Sequence, residues 1–311
     1  MPELLAKETL FLHNAEMGLG AWAWGDRTMW NYGRGYSDDD IAAAFQTSLA
    51  GSVNLVDTAE VYGSGRSETL LGQFLKTTTT PVLVATKFMP FPWRLNRSAL
   101  LHSLNRSLER LGLEHVDLYQ IHFPFPPMPV EFWVEELAKV VKSGKTRTAG
   151  ISNFSKTQMQ RAYTVLSKYN LPLASNQVEY HLLNRTVEKN GLLDRCKELG
   201  VRLIAYSPLA KGLLTGKYTP ENPPPGIRGR NSSGTLKGIK PLIALMTEIG
   251  KSHGEKTPGQ VALNWVICKG GLPIPGAKTA RQAGENVGAI GWRLTPEEVK
   301  ALDDTSDKFT K

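Results

Sequence analysis

Cysteine is scarce. The 311 residues hold two, Cys196 and Cys268, with neither a CxxC pair nor metal-ligand spacing. That removes a cysteine-built metal or redox centre and leaves two buried, reduced core thiols in a reducing compartment as the expectation. Long apolar runs are missing too: nothing approaches the roughly 18 consecutive apolar residues of a membrane span. The opening stretch, Met1-Pro-Glu-Leu-Leu-Ala-Lys-Glu-Thr-Leu10, has no apolar centre and carries acids. No targeting peptide is expected in it, and the cytoplasm is the expected compartment. No linker breaks the alternation of apolar runs and amphipathic segments, so one domain over residues 1–311 is expected. Acids are outnumbered, 29 against 37 Lys and Arg. Between Lys211 and Lys240 stand six basic residues and a single acid, Glu221. This stretch has no helical stripe and no recognition motif, which argues against nucleic acid and for a phosphate-bearing small molecule.

What is present is an alternation. Strand-like runs lie at Val53–Ala59, Pro81–Lys87, Val116–His122, Arg147–Asn153, Ala174–Tyr180, Arg202–Pro208 and Leu272–Ala277, with an earlier one ending near Met17–Trp22. Between them the apolar spacing is helical, as in Leu100, Leu104, Leu108 and Leu111, or Leu192, Leu193, Cys196 and Leu199. Thr257-Pro-Gly-Gln260 and Thr295-Pro-Glu-Glu298 read as capping boxes with proline at the first helical position. Strict strand–helix alternation implies a parallel sheet, and eight units close into a (β/α)₈ TIM barrel, an α/β fold. The rival, a doubly wound open sheet, calls for a Gly-rich phosphate fingerprint after its first strand; Gly18-Leu-Gly20 does not supply one.

Several of these runs end on a polar residue. Asp57, Lys87 and His122 stand at strand ends and Tyr62 follows the first in a loop. Parallel strands open their C-terminal ends onto one face, so an acid, a cation, a phenol and an imidazole can meet there. Taken singly, each has a plainer reading: a turn former, a solvated strand-end charge, a loop aromatic, a satisfied core histidine. The loops after strand ends also carry Trp30, Phe91, Trp93, Phe123, Phe125, Phe132 and Trp133. These can line an apolar pocket, Trp93 and Phe123 foremost, or pack onto helices, as Trp133 can.

Asp57-Thr-Ala-Glu-Val-Tyr-Gly63, Ala85-Thr-Lys87, Gln120-Ile-His122, Gly150-Ile-Ser-Asn-Phe154 and Asn176-Gln-Val-Glu179 come in that order. Tyr206-Ser-Pro-Leu209, Gly212-Leu-Leu-Thr-Gly-Lys217, Ile274-Pro-Gly-Ala277 and Glu285-Asn286 follow. Together they resemble the aldo-keto reductases, over most of the chain. The Gly212–Lys217 and Ile274–Ala277 segments look more like the bacterial and plant branches and the potassium channel β subunits than the mammalian aldose reductase group. The resemblance implies a (β/α)₈ barrel that interconverts carbonyl and alcohol with NADP(H). It implies that Ser152, Asn153 and Gln177 hold the nicotinamide carboxamide and that Tyr206 stacks on the ring. Ser207, Pro208, Leu209 and Lys217 would follow the pyrophosphate. Gly276, Lys278, Gln282, Glu285 and Asn286 would surround the adenosine end, with Lys278 and either Arg228 or Arg230 near a 2′-phosphate. Ala21 and Trp22, with Asp57, complete the nucleotide contacts, although alanine stands where many relatives have threonine. Gly212–Lys217 is one residue short of a P-loop and is followed by Tyr218 rather than Ser or Thr, so a triphosphatase is discounted.

Carbonyl reduction needs a hydride on carbon and a proton on oxygen. Tyr62 is the expected general acid, and a free phenol, pKa about 10, holds its proton tightly. A cation about 4 Å away contributes roughly 4 kcal/mol at an effective dielectric of 20, so Lys87 is expected to lower the Tyr62 pKa. Asp57 would fix Lys87, and His122 would orient the carbonyl oxygen. Two alternatives stay open: a Schiff-base aldolase with Lys87 as nucleophile, and a nicotinamide-binding regulatory subunit with little turnover. No metal is expected. The expected partner is a small carbonyl compound.

Overall fold

The computed structural model describes residues 9–229 and 232–309. Eight strands lie side by side in chain order: β1 (Leu19–Gly20), β2 (Leu55–Asp57), β3 (Leu83–Phe88), β4 (Val116–Ile121), β5 (Thr146–Ser152), β6 (Leu173–Glu179), β7 (Arg202–Tyr206) and β8 (Leu272–Ile274). Every neighbouring pair is parallel. The ring closes where Gly18 and Gly20 donate their N–H groups to the carbonyls of Pro273 and Pro275, both at 3.0 Å. Glycine is required at position 20, because a Cβ there would lie 2.7 Å from the Ile274 carbonyl oxygen. The expected (β/α)₈ barrel is therefore the fold.

Two apolar layers hold it. The larger lies between the strands and the surrounding helices, where Leu100, Leu104, Leu108 and Leu111 are buried on one face of the helix Ser98–Leu111. The smaller fills the barrel: Leu55, Ala85, Leu118, Ala174, Ile204, Leu272 and Ile274 meet inside it, with Leu12. Leu12 belongs to a short helical segment, residues 9–14, and Ala15 behind it accepts from Arg202 Nη2 at the start of β7. This segment therefore stops the N-terminal end of the barrel, leaving the C-terminal end as the open one. Nothing in the sequence patterning had pointed to such a plug.

Both expected capping boxes are present, at Thr257 with Gln260 and at Thr295 with Glu298. Most strands stop short of the apolar runs that announced them, for a local reason. His122 and Asn153 still donate their N–H groups to the Phe88 and Gln177 carbonyls, at 2.8 and 2.9 Å, but end their strands there, Asn153 with φ +63°. At β8, Pro273 and Pro275 have no N–H to extend the pairing. Cys196 is buried, as expected, but Cys268 is only half-buried, since it lies at the C-terminal end of its helix. Among the described residues no helix is long and apolar enough to cross a membrane.

Candidate active site

Four strand ends converge on Asp57. The Lys87 ammonium, fully buried, donates to Asp57 Oδ1, to the Thr58 carbonyl at 2.8 Å and to the Tyr62 hydroxyl oxygen at 3.3 Å. The other carboxylate oxygen of Asp57 accepts from Gln177 Nε2 at 2.8 Å and Gln120 Nε2 at 3.2 Å. Gln120 crosses the barrel because Gly150 leaves room; a Cβ there would sit 2.8 Å from Gln120 Cγ. Sequence reading placed Gln120 in a motif without a role. Its signal was a polar residue two positions before His122, which puts both on one face of the strand. His122 meets the Tyr62 ring edge-on, ring centres 5.7 Å apart. The four expected catalytic residues are thus together, with Lys87 and Asp57 beneath and Tyr62 and His122 above.

The electrostatics differ from the expectation in one respect. Burial disfavours the Lys87 charge, but Asp57 and then Tyr62 outweigh it and hold the ammonium above its ordinary pKa. The Tyr62 pKa is not lowered but raised: burial dominates, Lys87 opposes it, and Asp57 adds to it. The expectation set Lys87 against a free phenol and left out the burial of Tyr62, which outweighs the cation. His122 is pushed well below its usual value, by burial first and by Lys87 second, and is a neutral imidazole. Its Nδ1 is buried without a hydrogen-bond partner among the described residues.

Above these groups runs a cleft of about 1120 Å³. Its lining includes Trp22, Asp57, Tyr62, His122, Ser152, Asn153, Gln177, Tyr206, Ser207, Pro208 and Leu209. Lys217, Arg228, Gly276, Lys278, Gln282, Glu285 and Asn286 continue it. Ala21 is the exception. It is fully buried below the cleft, its carbonyl accepting from Ser67 Oγ at 3.0 Å, so it offers a nucleotide nothing. Arg230 lies outside the described residues. Ser152 and Asn153 are locked by side-chain bonds: Ser152 Oγ to the Gln177 carbonyl at 2.9 Å, Asn153 Nδ2 to the His122 carbonyl at 3.1 Å. Tyr206 donates to Asn153 Oδ1 at 3.0 Å, and burial pushes its pKa up to about 12.

The far half of the cleft is rich in positive charge. Lys278 is pushed down by burial and by repulsion from Arg228 and Lys217, and no ion pair is found for these three among the described residues. Arg228 Nη1 donates to the Lys211 carbonyl at 3.4 Å and its guanidinium lies over Trp30 at 4.7 Å, while Lys278 lies over Tyr36 at 4.9 Å. Arg228 Nε and Trp30 Nε1 are buried donors with no acceptor. Uncompensated cations and unused donors in one groove fit a ligand with several phosphate oxygens.

The loop aromatics divide. Trp30 and Phe123 line the cleft, as does Tyr218. Trp93 stacks on Phe91 with ring centres 4.5 Å apart and is 73% exposed, outside the cleft lining. Trp133 belongs to the helix Val130–Lys142 and is buried against Phe88. Also unforeseen as cleft residues were Met89 and Glu179, whose local sequence carries no signal of which way they face, whereas Lys211, which opens the basic stretch, lines the cleft.

A small-molecule enzyme on a (β/α)₈ barrel is the class this geometry defines. Comparison with known proteins says which one. The model of the Aldo/keto reductase family matches residues 16–307, and the chain belongs to that family. It is 39% identical over 300 residues to the chloroplastic pyridoxal reductase of Arabidopsis thaliana, covering 92% of this chain and 82% of that one. Its fold is similar to the glycerol dehydrogenase of Gluconobacter oxydans, with TM-score 0.82, 29% identity, and 94% and 92% of the two chains covered. An aldo-keto reductase from Klebsiella pneumoniae, solved in complex with NADPH, matches with TM-score 0.74 and 27% identity over 93% and 90%. Family membership makes this chain an NADP(H)-dependent oxidoreductase, and the donors of the cleft fit that nucleotide.

Proposed function

We propose that the chain works as one barrel domain that reduces aldehydes, planar aromatic ones foremost, with Tyr62 as the proton donor. The observation that carries the reading is the 3.3 Å contact in which Lys87 donates to the Tyr62 oxygen. With that lone pair engaged, the phenol's own proton is directed away from Lys87, toward a carbonyl oxygen in the cleft. The raised pKa keeps Tyr62 protonated at neutral pH, as a donor must be. As negative charge grows on the carbonyl oxygen, the proton moves to it, and Lys87 stabilises the phenolate left behind. Neutral His122 donates a hydrogen bond to the same oxygen and orients it. When bound, NADPH supplies the hydride.

Tyr206 is positioned to offer its ring to the nicotinamide, and Ser152 and Asn153 their side chains to its carboxamide. Gln177 spends its amide nitrogen on Asp57 and keeps Oε1 as an acceptor. Ser207, Pro208, Leu209 and Lys217 are assigned to the pyrophosphate. Gly276, Gln282, Glu285 and Asn286 surround the adenosine, and Lys278 with Arg228 takes the 2′-phosphate. The apolar wall of Trp22, Met89 and Phe123 supports aromatic aldehydes, and the likeness to a pyridoxal reductase supports pyridoxal among them. The aldolase alternative loses ground, because Lys87 is held as a buried ammonium and not as a free amine. Two free thiols support a reducing compartment, with the cytoplasm as our reading.

The test is NADPH oxidation with pyridoxal, nitrobenzaldehyde and glucose. The aromatic aldehydes should show the higher kcat/KM; glucose above both sinks the pocket argument. In Tyr62→Phe, NADPH binding should persist while reduction falls by about 10²–10⁴. Reduction at the wild-type rate would remove Tyr62 as the acid.

A further inference from the structure

Between Asp57 and Tyr62 lies an acid that the proton-transfer scheme leaves unused. Glu60 is nearly buried and holds Arg94 through both carboxylate oxygens, at 2.6 Å to Nη1 and 3.1 Å to Nη2. Glu60 Oε1 also accepts the backbone N–H of Met89 at 2.7 Å, and Arg94 Nη1 donates to the Met89 carbonyl at 2.7 Å. The pair therefore satisfies both backbone polar groups of one residue. That residue lines the cleft beside Tyr62, His122 and Phe123, whereas Glu60 and Arg94 do not line it. The Arg94 guanidinium further lies over the rings of Phe88 and Phe91, at 4.9 and 5.2 Å. The loop after β3 has no helix or strand of its own until Ser98, so these contacts are its frame.

We infer that Glu60 and Arg94 are positioning residues that set the width of the substrate side of the cleft. They do so by fastening Met89 to the turn that carries Tyr62. Glu60 touches the acid's turn by covalent continuity and the wall by its carboxylate, so one side chain fixes the distance between them. Arginine suits the task because its planar fork meets a carboxylate with two parallel bonds, which a lysine cannot reproduce. A substrate that reaches only Tyr62 and His122 does not sense that distance. One whose ring spans to Met89 and Phe123 does. The inference rests on the carbonyl-reduction reading of the cleft.

The experiment compares propanal with nitrobenzaldehyde in Arg94→Lys, Glu60→Gln and Glu60→Ala, alongside NADPH affinity and thermal melting. In Arg94→Lys, KM for nitrobenzaldehyde should rise about tenfold, short of the hundredfold that a 1 Å misplacement costs. Its kcat, both constants for propanal, and NADPH affinity should stay within about twofold. Glu60→Gln keeps an amide oxygen for the Met89 N–H, so it should lie between wild type and Glu60→Ala. Equal losses for the two aldehydes, a loss in kcat alone, or unchanged KM for both overturns the inference. A fall in NADPH affinity, or loss tracking only the melting temperature, also does. If Tyr62→Phe still reduces aldehydes, it is the underlying reading that fails instead.

Discussion

Replacing Lys87 by methionine separates what this residue does for the fold from what it does for the reaction. The side chain is fully buried and supplies three hydrogen bonds, to Asp57, the Thr58 carbonyl and Tyr62. Methionine fills the space but leaves the Asp57 carboxylate buried with two amide donors, Gln120 and Gln177. Breaking a buried ion pair from one side costs about 3–5 kcal/mol. Against a total stability of about 5–15 kcal/mol, that is a large share. At roughly 2–4 °C per kcal/mol for chains of 150–250 residues, the melting temperature should drop by about 6 °C or more. Changing Asp57→Asn in the same protein removes the stranded charge while its amide oxygen still accepts from Gln120 and Gln177. The double variant should recover to within about 1–2 kcal/mol of wild type, because an ion pair replaced as a whole is near neutral. Activity should not recover: with no cation to stabilise the phenolate, reduction stays down by about 10²–10⁴. Thermal melts and single-turnover kinetics on wild type, Lys87→Met and the double variant decide the matter. A double variant no more stable than Lys87→Met shows that the lone carboxylate is not the cost, and a double variant with restored turnover refutes the role of Lys87 beside Tyr62.

Lys278→Ala should weaken NADPH by about 1.5–3 kcal/mol and leave NADH nearly unchanged, which fluorescence titration with each nucleotide measures. An equal loss for both would mean that Lys278 does not read the 2′-phosphate. Unfolded, His122 takes up a proton as pH falls through about 6.5; folded, it stays neutral to lower pH. The unfolded state then binds more protons, so stability is lost as pH falls below about 6.5. His122→Asn should flatten that acid limb in melts against pH, and an unaltered limb contradicts the burial of a neutral imidazole.

The parts of the molecule legible in the sequence were those with a repeating or ordered pattern. The barrel followed from eight β-branched runs separated by helical spacing, and Asp57, Lys87 and His122 from the polar residues on which those runs stop. The ordered motifs led to residues that line the cleft, except Ala21, where a small side chain at a familiar place lies under the floor. Side-chain direction in loops was not legible. Trp93, Phe123 and Trp133 look alike in sequence, yet one is exposed, one lines the cleft and one is core. Nor was the direction of the Tyr62 shift, because it depends on whether the burial of the phenol outweighs Lys87, which no motif encodes. Glu60 escaped for the same reason: its partner stands 34 positions away.

A ring of strands has no edge, but this one has a seam. At the join of first and last strands, Pro273 and Pro275 accept from Gly18 and Gly20 and have no N–H to give back. The prolines thin the lacing of this seam, which joins segments some 250 positions apart and is tied nearby by the Trp24 indole to the Ala277 carbonyl at 3.0 Å. Gly20 and Gly276, which face each other there, both line the cleft. A nucleotide bound along that part of the cleft would touch both sides of the join, and would hold the first strand to the last as well as serve the reaction.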